Sequence, residues 1–267
     1  IIFKMKVSII VPVYNSSSML EELVQRVNKT MNNLEFQNDY ELLLINDSSK
    51  DNSWKTIARL IEQFSFIKGI NLTENFGQHN AIMAGLNNCT GEYIITIDDD
   101  LQHPPEFISD ILDKLKTNDV CYTNYRNRKH IGWKKFVSNL NNIISSFILN
   151  KSLRIYMSSY RGMISKIKLK IIQFKNPNVY IDGLIINSTK NIGMISVNHH
   201  ARKYGESNYN LKKLLILWSN MILNFSFFPF RTASIFGITL KFVIKLIRKK
   251  NTKKQFEILE IKINDKK

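Results

Sequence analysis

The first 124 residues alternate short apolar runs with longer segments of helical periodicity. The apolar runs are rich in β-branched and aliphatic residues, which is typical of buried strands. They lie at 7–13, 40–45, 67–72, 93–97 and 120–124. Helical patterns lie between them, at about 18–34, 52–64, 78–88 and 104–116. Strands that alternate with helices predict an α/β fold with a parallel, doubly wound sheet covered by helices.

Helix starts are marked by two local signals. Ser18 and Glu21 have the spacing of a capping box, which predicts that the first helix begins there. Pro104 and Pro105 predict the start of a later helix, because proline is tolerated in a first helical turn. Residues 132–150 fit one more helix, and 160–188 mix short strands and helix.

Polar residues follow three of the predicted strands. They fall within three segments at the carboxyl ends of these strands, 12–15, 46–49 and 98–102. In doubly wound sheets, ligands bind beyond the carboxyl ends of the strands, so we expect these positions to surround one binding site.

Three consecutive aspartates form the most distinctive part of this set. Asp98, Asp99 and Asp100 follow an apolar strand, and Gln102 comes two residues later. Alternation along an extended chain brings Asp98, Asp100 and Gln102 to one side and leaves Asp99 opposite and dispensable. Hard oxygen ligands suit Mg²⁺ or Mn²⁺. The alternative is a solvated acidic turn.

The net charge of +16 is divided unevenly along the chain. Residues 1–120 carry −7, from 10 Lys and Arg against 17 Asp and Glu, and residues 121–267 carry +23, from 28 against 5. The basic half predicts polyanionic partners such as phosphates or anionic lipid, although a merely soluble basic surface is the alternative. It lacks a recognisable nucleic-acid-binding module, which disfavours a nucleic-acid partner.

The two cysteines, Cys89 and Cys121, have neither metal-ligand spacing nor a disulfide framework. This favours a reducing, cytosolic setting. The N-terminal apolar run is short and lacks a cleavage pattern, so we expect no signal peptide.

Two apolar stretches lie near the C-terminus. Residues 211–228 repeat apolar side chains at helical spacing, and 232–250 carry Lys241, Lys245 and Lys249 at four-residue intervals. Neither offers the ~20 uninterrupted apolar residues of a membrane span. Both suit helices lying in a membrane interface, although 211–228 also fits a core helix. We expect a domain at 1–210, juxtamembrane helices at 211–250, and a charged, mobile tail at 251–267.

Four segments together resemble family 2 glycosyltransferases of the GT-A fold, a Rossmann-like nucleotide-binding sheet flanked by helices. The segments are VPVYN at 11–15, INDSSKD at 45–51, NFGQ at 75–78 with the following Ala84-Gly85, and DDDLQHPP at 98–105. Within that family, NFGQHNAIMAGL, GEYIITIDDDLQHPPE and ARKYGESNY resemble polyprenyl-phosphate glycosyltransferases. This group includes dolichol-phosphate mannose synthase and bacterial enzymes that load undecaprenyl phosphate with glucose or an aminoarabinose-type sugar. The resemblance extends from about 5 to 240.

The resemblance implies roles for the residues on the nucleotide side. Pro12 and Tyr14 would line the base pocket and Asp47 would bind the base, although a short polar residue there also fits a helix cap. Gly77 and Gln78 would face phosphate or sugar oxygens, or form a plain turn before a helix. The remaining roles concern the metal: Asp98 would lie near the ribose and the metal, and Asp100 and Gln102 would bind Mn²⁺ or Mg²⁺.

The resemblance also implies cationic residues for donor diphosphate and acceptor phosphate. The candidates for the acceptor phosphate are Arg126, Arg128, Lys134, Lys135, Ser138 and Ser207. The candidates for the catalytic group are Asp100, Arg128, Lys134, Arg202 and Asp182. Asn208 stands where the family usually has lysine, which weakens the transfer of the Arg202 and Ser207 roles. A solvated surface role is the alternative for each of these cations.

The function implied is an inverting, metal-dependent transfer of sugar from a UDP-sugar, favoured over a GDP-sugar, to polyprenyl phosphate. It would take place at the anionic cytoplasmic face of the inner or plasma membrane, with the enzyme peripheral or monotopic, and relatives of this kind can form homo-oligomers. One alternative is transfer to a sugar hydroxyl in polysaccharide or lipopolysaccharide synthesis, with Asp182 as general base. Another is a non-catalytic module that binds nucleotide-sugar or membrane.

Overall fold

The computed structural model describes residues 7–34, 39–125, 146, 152, 155–197 and 254–264. Within these ranges the strands are β1 Val7–Val13, β2 Tyr40–Asn46, β3 Ile67–Leu72, β4 Tyr93–Thr96, β5 Val120–Tyr125, β6 Arg161–Ile164, β7 Ile192–Val197 and β8 Ile258–Lys262. The α-helices are α1 Leu20–Asn32, α2 Ser53–Gln63, α3 Gln78–Asn88, α4 Ile108–Leu115, α5 Ser165–Ile171 and α6 Ile181–Ser188. A short 3₁₀ turn, Pro105–Phe107, leads into α4.

All eight strands belong to one sheet, in the order β7-β5-β6-β4-β1-β2-β3-β8. β1 pairs in parallel with β2 and β4, β2 with β3, and β5 with β7. β6 pairs antiparallel with both β4 and β5, so that β5 runs in the same direction as β1. The predicted parallel arrangement is therefore confirmed for the five strands of the first 124 residues, and the later strands β6 and β8 make the sheet mixed.

The core has one layer on each face of the sheet. Alternate residues of β1 point to opposite faces: Ile9 and Val11 pack with α1, α2 and α4, whereas Ile10 packs with α3, α5 and α6. Helix α3 lies close against β1 at Gly85, where an added Cβ would stand 2.5 Å from the Ile10 Cγ2 atom. These two layers explain why the strands carry uninterrupted apolar runs.

The boundaries of the elements agree with the sequence predictions through residue 124. The start of α1 is the exception. Its N-cap position is Met19, which has no side-chain cap hydrogen bond, so the predicted Ser18/Glu21 capping box is wrong. Instead the Met19 amide bonds to the carbonyl of Ser16, which closes a turn just before the helix.

The C-terminal segment differs from its prediction. The expectation of a mobile tail at 251–267 is wrong for residues 254–264, because β8 pairs antiparallel with β3 at the border of the sheet. The Asn264 side chain donates to the Ile61 carbonyl at 2.8 Å, and the Lys262 ammonium lies 5.7 Å from the centre of the Trp54 ring. Apart from Ser146, which is helical, the helices predicted at 132–150 and 211–250 lie outside the described residues. Within the described ranges, no helix combines the length and hydropathy needed to cross a bilayer.

Candidate active site

The loops that follow β1, β2 and β4 meet at the carboxyl edge of the sheet. Each contains a non-glycine residue with a left-handed backbone: Asn15 with φ 56°, Ser48 with φ 54° and Leu101 with φ 57°. This conformation is uncommon for residues other than glycine and costs free energy, most of all for a residue such as leucine. The chain therefore makes three strained turns at the edge where the sequence predicted a ligand site.

The loop after β1 presents an aromatic ring to solvent. Tyr14 is 42% exposed, whereas Pro12 is buried within the strand. The β1–β4 ladder ends at Ile10, so proline at position 12 removes no donor from that ladder. Asn15 links this loop to the loop after β2. Its backbone amide donates to the Ser49 Oγ, and its side-chain oxygen accepts from the Lys50 backbone amide. An exposed ring on an interlocked loop can stack against a flat ligand.

Asp47 organises the turn that leads into α3. It is only 3% exposed, and its two carboxylate oxygens accept hydrogen bonds from the amides of Phe76, at 2.8 Å, and Gly77, at 2.9 Å. Gly77 has φ 87°, a conformation that favours glycine. The structure thus brings together Asp47 and Gly77, two residues that were each predicted to bind the nucleotide-sugar, and the Asp47 carboxylate is already bonded to main chain.

Asp98 lies among three polar side chains. Its Oδ1 accepts from the Gln78 amide nitrogen at 2.7 Å, and its Oδ2 accepts from the Ser159 hydroxyl at 2.5 Å. The buried His103 places Nδ1 3.4 Å from the same Oδ2. Gln78 and Asp98 were both predicted site residues, whereas Ser159 and His103 were not. His103 stands within the DDDLQHPP segment itself, whereas Ser159 lies in none of the four segments that carry the family resemblance.

Asp99 joins the loop after β4 to the loop after β1. Its Oδ2 accepts from the Tyr14 amide at 3.0 Å and from the Ser16 hydroxyl. Burial raises the pKa of Asp99 to about 6, against the opposing effect of these two hydrogen bonds. Asp99 therefore positions the backbone of the exposed Tyr14, and the expectation that it is dispensable for activity stays a prediction.

Asp100 and Gln102 are neighbours for a reason other than strand alternation. β4 ends at Thr96, and the chain then turns through Leu101, so the extended register does not continue over 98–102. Asp100 is 8% exposed, and its Oδ1 accepts from the Gln102 amide at 3.1 Å.

The donor set suits a hard divalent cation. No group of three or more His, Cys, Asp and Glu side chains that could hold a metal occurs in the described ranges. Two carboxylates and one amide oxygen are nevertheless sufficient on the protein side, because Mg²⁺ is usually bound by one or two carboxylates and shares its shell with substrate phosphates and water. Asp98, Asp100 and Gln102 therefore fit Mn²⁺ or Mg²⁺.

Asp182 is engaged in a buried ion pair. Its Oδ1 accepts from the Arg161 guanidinium and, at 2.8 Å, from the Tyr122 hydroxyl. Arg161 is 1% exposed and Asp182 8%. Burial lowers the pKa of Arg161, but Asp182, together with Tyr122 and Tyr180, raises it, and the net shift is upward. Burial, with Asp182 adding to it, raises the pKa of Tyr122 well above its ordinary value.

His79 lies beside this pair, one position after Gln78. Its ring meets the Tyr180 ring edge-on at 5.4 Å between centroids, and its Nδ1 has no hydrogen-bond partner among the described residues. Burial lowers the pKa of His79 to about 4, with Arg161 acting in the same direction and Asp182 against it. The imidazole is therefore neutral at physiological pH.

The predicted phosphate-binding residues lie outside the described ranges. They are Arg126, Arg128, Lys134, Lys135, Ser138, Arg202 and Ser207. Their roles remain predictions.

The model of glycosyl transferase family 2 matches residues 8–171 of this chain. Two similar curated proteins are named undecaprenyl-phosphate 4-deoxy-4-formamido-L-arabinose transferase. The protein from Proteus mirabilis (strain HI4320) is 33% identical over 238 residues, which cover 87% of this chain and 71% of the relative. The protein from Pseudomonas fluorescens (strain SBW25) is 32% identical over 244 residues, which cover 88% and 69%.

Solved structures share the fold at low sequence identity. Glucosyl-3-phosphoglycerate synthase from Mycobacterium tuberculosis, crystallised with Mn²⁺, UDP and glucosyl-3-phosphoglycerate, gives a TM-score of 0.59 at 14% identity, covering 83% of this chain and 80% of that one. TarS 1–349 from S. aureus, in complex with UDP-GlcNAc, gives a TM-score of 0.56 at 18% identity, covering 91% and 72%. The mixed sheet with helices on both faces is thus a GT-A fold.

Proposed function

This chain belongs to glycosyl transferase family 2, and on that basis we propose that it transfers a sugar from a UDP-sugar to a polyprenyl phosphate such as undecaprenyl phosphate. The acceptor phosphate oxygen attacks the anomeric carbon of the sugar. The bond from that carbon to the UDP oxygen breaks, the electron pair leaves with UDP, and the configuration inverts. The names of the curated relatives support this choice of acceptor.

The choice between a phosphate acceptor and a sugar-hydroxyl acceptor rests on the hydrogen bonds that Asp182 makes. A sugar hydroxyl needs a general base to remove its proton, whereas a phosphate monoester, with a second pKa of about 6, is already largely dianionic at neutral pH. Asp182 was the sequence candidate for that base. Its Oδ1 is occupied by Arg161 and Tyr122, and proton transfer to this carboxylate would break a buried ion pair. An acceptor that needs no base agrees with this arrangement.

The donor would lie along the carboxyl edge of β1, β2 and β4. The exposed Tyr14 ring would stack on the base in the pocket that also includes Pro12 and the turn held by Asp47. Gln78 is positioned next to Asp98 and would face the sugar and phosphate oxygens at the start of α3.

Asp98, Asp100 and Gln102 would hold Mn²⁺ or Mg²⁺, and such an ion stabilises the negative charge that develops on a leaving diphosphate. The protein's own contribution there is to fix the two carboxylates before substrate arrives. Ser159 and Gln78 orient Asp98, and the Gln102 amide orients Asp100. Preorganised groups of this kind need no rearrangement during the reaction.

The lipid acceptor requires the enzyme to work at a membrane surface. The excess of positive charge after residue 120 would attract an anionic membrane. The same half of the chain would also bind the phosphates, through Arg126, Arg128, Lys134, Lys135, Ser138, Arg202 and Ser207. We place the protein at the cytoplasmic face, bound peripherally or monotopically.

The test is an assay of the full chain with radiolabelled UDP-sugars, Mn²⁺ and vesicles that contain undecaprenyl phosphate. We expect a lipid-extractable, acid-labile labelled product, and its loss when EDTA is added or when Asp100 is replaced by alanine. A parallel reaction supplies a free sugar acceptor in place of the lipid. Transfer to the sugar hydroxyl with no lipid-linked product from any donor would overturn the proposed acceptor.

A further inference from the structure

The turn that leads into α3 carries a side chain that contacts a candidate metal ligand. Gln78 is the first residue of α3, and its side-chain nitrogen donates to Asp98 Oδ1 at 2.7 Å. Gln78 itself is exposed. A single hydrogen bond made by an exposed, flexible side chain contributes little by itself, because forming it costs side-chain entropy. Gln78 therefore depends on a fixed backbone to hold Asp98 in one orientation.

Two buried polar side chains hold that backbone. Asp47, which follows β2, accepts from the amides of Phe76 and Gly77 at 2.8 and 2.9 Å. Asn80, in the first turn of α3, donates from its side chain to the Phe76 carbonyl at 2.9 Å. Phe76 is thus bonded through both its amide and its carbonyl, immediately before the left-handed Gly77 that begins the helix.

Asn80 also reaches a second segment of the chain. The same side-chain nitrogen donates to the Pro177 carbonyl at 3.0 Å, so both hydrogens of the amide are used. Pro177 lies in the loop between α5 and α6, two helices that cover the same face of the sheet as α3. The Asn80 side chain therefore joins the start of α3 to a segment 97 residues away.

The remaining polar atom of this side chain has no partner. Asn80 is 8% exposed, and its Oδ1 is buried without a hydrogen bond to any described residue. A buried acceptor without a partner costs free energy, so such a group calls for an explanation. The two carbonyls alone determine the orientation of the amide, and the amide in turn fixes the Phe76 carbonyl relative to the loop at Pro177.

We propose that Asn80 is a positioning residue for Asp98. Through the turn at 76–78 it holds Gln78 against the Asp98 carboxylate, and it thereby keeps that carboxylate in the orientation that binds a divalent ion. The inference rests on the proposed function, because it assumes that the donor is bound with a metal at Asp98.

The test is a titration of the full chain with Mn²⁺ in the presence of UDP, well below Tm. Asn80→Leu keeps the approximate size of the side chain and removes both donated hydrogen bonds. Asn88→Leu is the matched control: Asn88 is the last residue of the same helix, and it also donates to the carbonyl four residues earlier, that of Ala84, at 2.9 Å.

We expect Asn80→Leu to weaken Mn²⁺ binding by about 10- to 100-fold, the usual effect of removing a group that orients a metal ligand. The affinity for UDP in EDTA should stay within about threefold of wild type, since the base pocket belongs to the loops after β1 and β2. A purely structural role would lower Tm and leave the Mn²⁺ affinity unchanged at this temperature. The control should keep both affinities.

A double variant checks the route through Gln78. Gln78→Ala removes the bond to Asp98 and should itself weaken Mn²⁺ binding. Because residues that act through one contact are not additive, adding Asn80→Leu to Gln78→Ala should weaken it by less than about twofold more. A full additional loss in the double variant, an unchanged Mn²⁺ affinity in Asn80→Leu, or an equal loss in the Asn88 control would overturn the inference.

Asn80→Ala replaces the leucine variant if that protein does not fold, since alanine removes the same bonds without adding bulk, and the same loss of Mn²⁺ affinity is expected. None of these measurements requires turnover. If Mn²⁺ binding depends on Asn80 but the wild type makes no lipid-linked product, the inference stands and the proposed acceptor fails. If the wild type transfers sugar to lipid and the Asn80 variants bind Mn²⁺ normally, the inference alone fails, and a wild type that binds no Mn²⁺ would overturn the inference together with the metal dependence.

Discussion

Replacing Asp182 by asparagine separates a structural role of this carboxylate from a catalytic one. The substitution removes the negative charge that compensates Arg161, which is 1% exposed. Removing one partner of a buried ion pair costs about 3–5 kcal/mol. Asparagine can still accept from Tyr122 and Arg161, so we expect the lower end, about 3 kcal/mol. For a domain of this size each kcal/mol lowers Tm by about 2–4 °C, which gives a fall of about 6–12 °C.

The activity of the same variant provides the second measurement. Loss of a general base lowers kcat by about 10²–10⁴. If Asp182 serves only to hold Arg161 and Tyr122, kcat measured well below Tm should fall less than tenfold. Urea unfolding and lipid-transfer rates from a single preparation give both quantities.

A double-mutant cycle with Arg161→Met tests the pairing directly. Because the double variant leaves no uncompensated charge, its loss of unfolding free energy should be smaller than the sum of the two single losses, by about 2 kcal/mol or more. Tyr122→Phe is the uncharged control and should cost only about 2 kcal/mol, the value of one hydrogen bond to a charged group. An Asp182→Asn protein of wild-type stability with no activity would refute the reasoning and restore Asp182 as a base.

Three further predictions concern the site and its support. Asp100→Ala should abolish the Mn²⁺-dependent part of the thermal shift caused by UDP. Asp99→Ala should keep the Mn²⁺ dependence but weaken UDP binding, because it removes the hydrogen bond that holds the loop after β1. Equal effects of the two substitutions would contradict these separate roles. The pKa of His79 is lowered to about 4 in the folded chain, so the unfolded chain binds one more proton between about pH 6.5 and 4. The contribution of His79 to the free energy of unfolding is therefore present above pH 6.5 and is lost as the pH falls through this window. His79→Gln should remove that part of the slope in unfolding experiments at a series of pH values, and parallel slopes would disprove the assignment. Gly85→Ala should lose about 1–3 kcal/mol in urea unfolding, because the new Cβ meets Ile10 at 2.5 Å, and an unchanged midpoint would show that the helix can move away.

Much of the fold could be predicted because its signals are local. Each of the first five strands is a compact apolar run, and each intervening helix has its own periodicity, so their order predicted the parallel part of the sheet. The same order placed Tyr14, Asp47 and Asp98 at one edge, since parallel strands end on the same side. Family membership follows from those motifs as well.

Other features could not be predicted from local patterns. Ser159 and Gln78 converge on Asp98 from positions 61 and 20 residues away, and no periodicity connects them. The contact of Asp99 with the loop after β1 was not predicted, because strand alternation was extended beyond Thr96, where the chain had already turned.

The sequence by itself determined the α/β class, the carboxyl edge of the sheet as the place of the candidate site, and the candidate metal donors, because these depend on periodicity and on residues close together in the chain. Only the tertiary structure decided which distant groups became partners. It paired Asp182 with Arg161, 21 residues away, and with Tyr122, 60 residues away, and it placed part of the charged tail as a strand at one border of the sheet. The physical reason is that a buried charge or an open sheet edge is stabilised by whatever group the fold brings beside it, and that group is set by packing rather than by sequence distance.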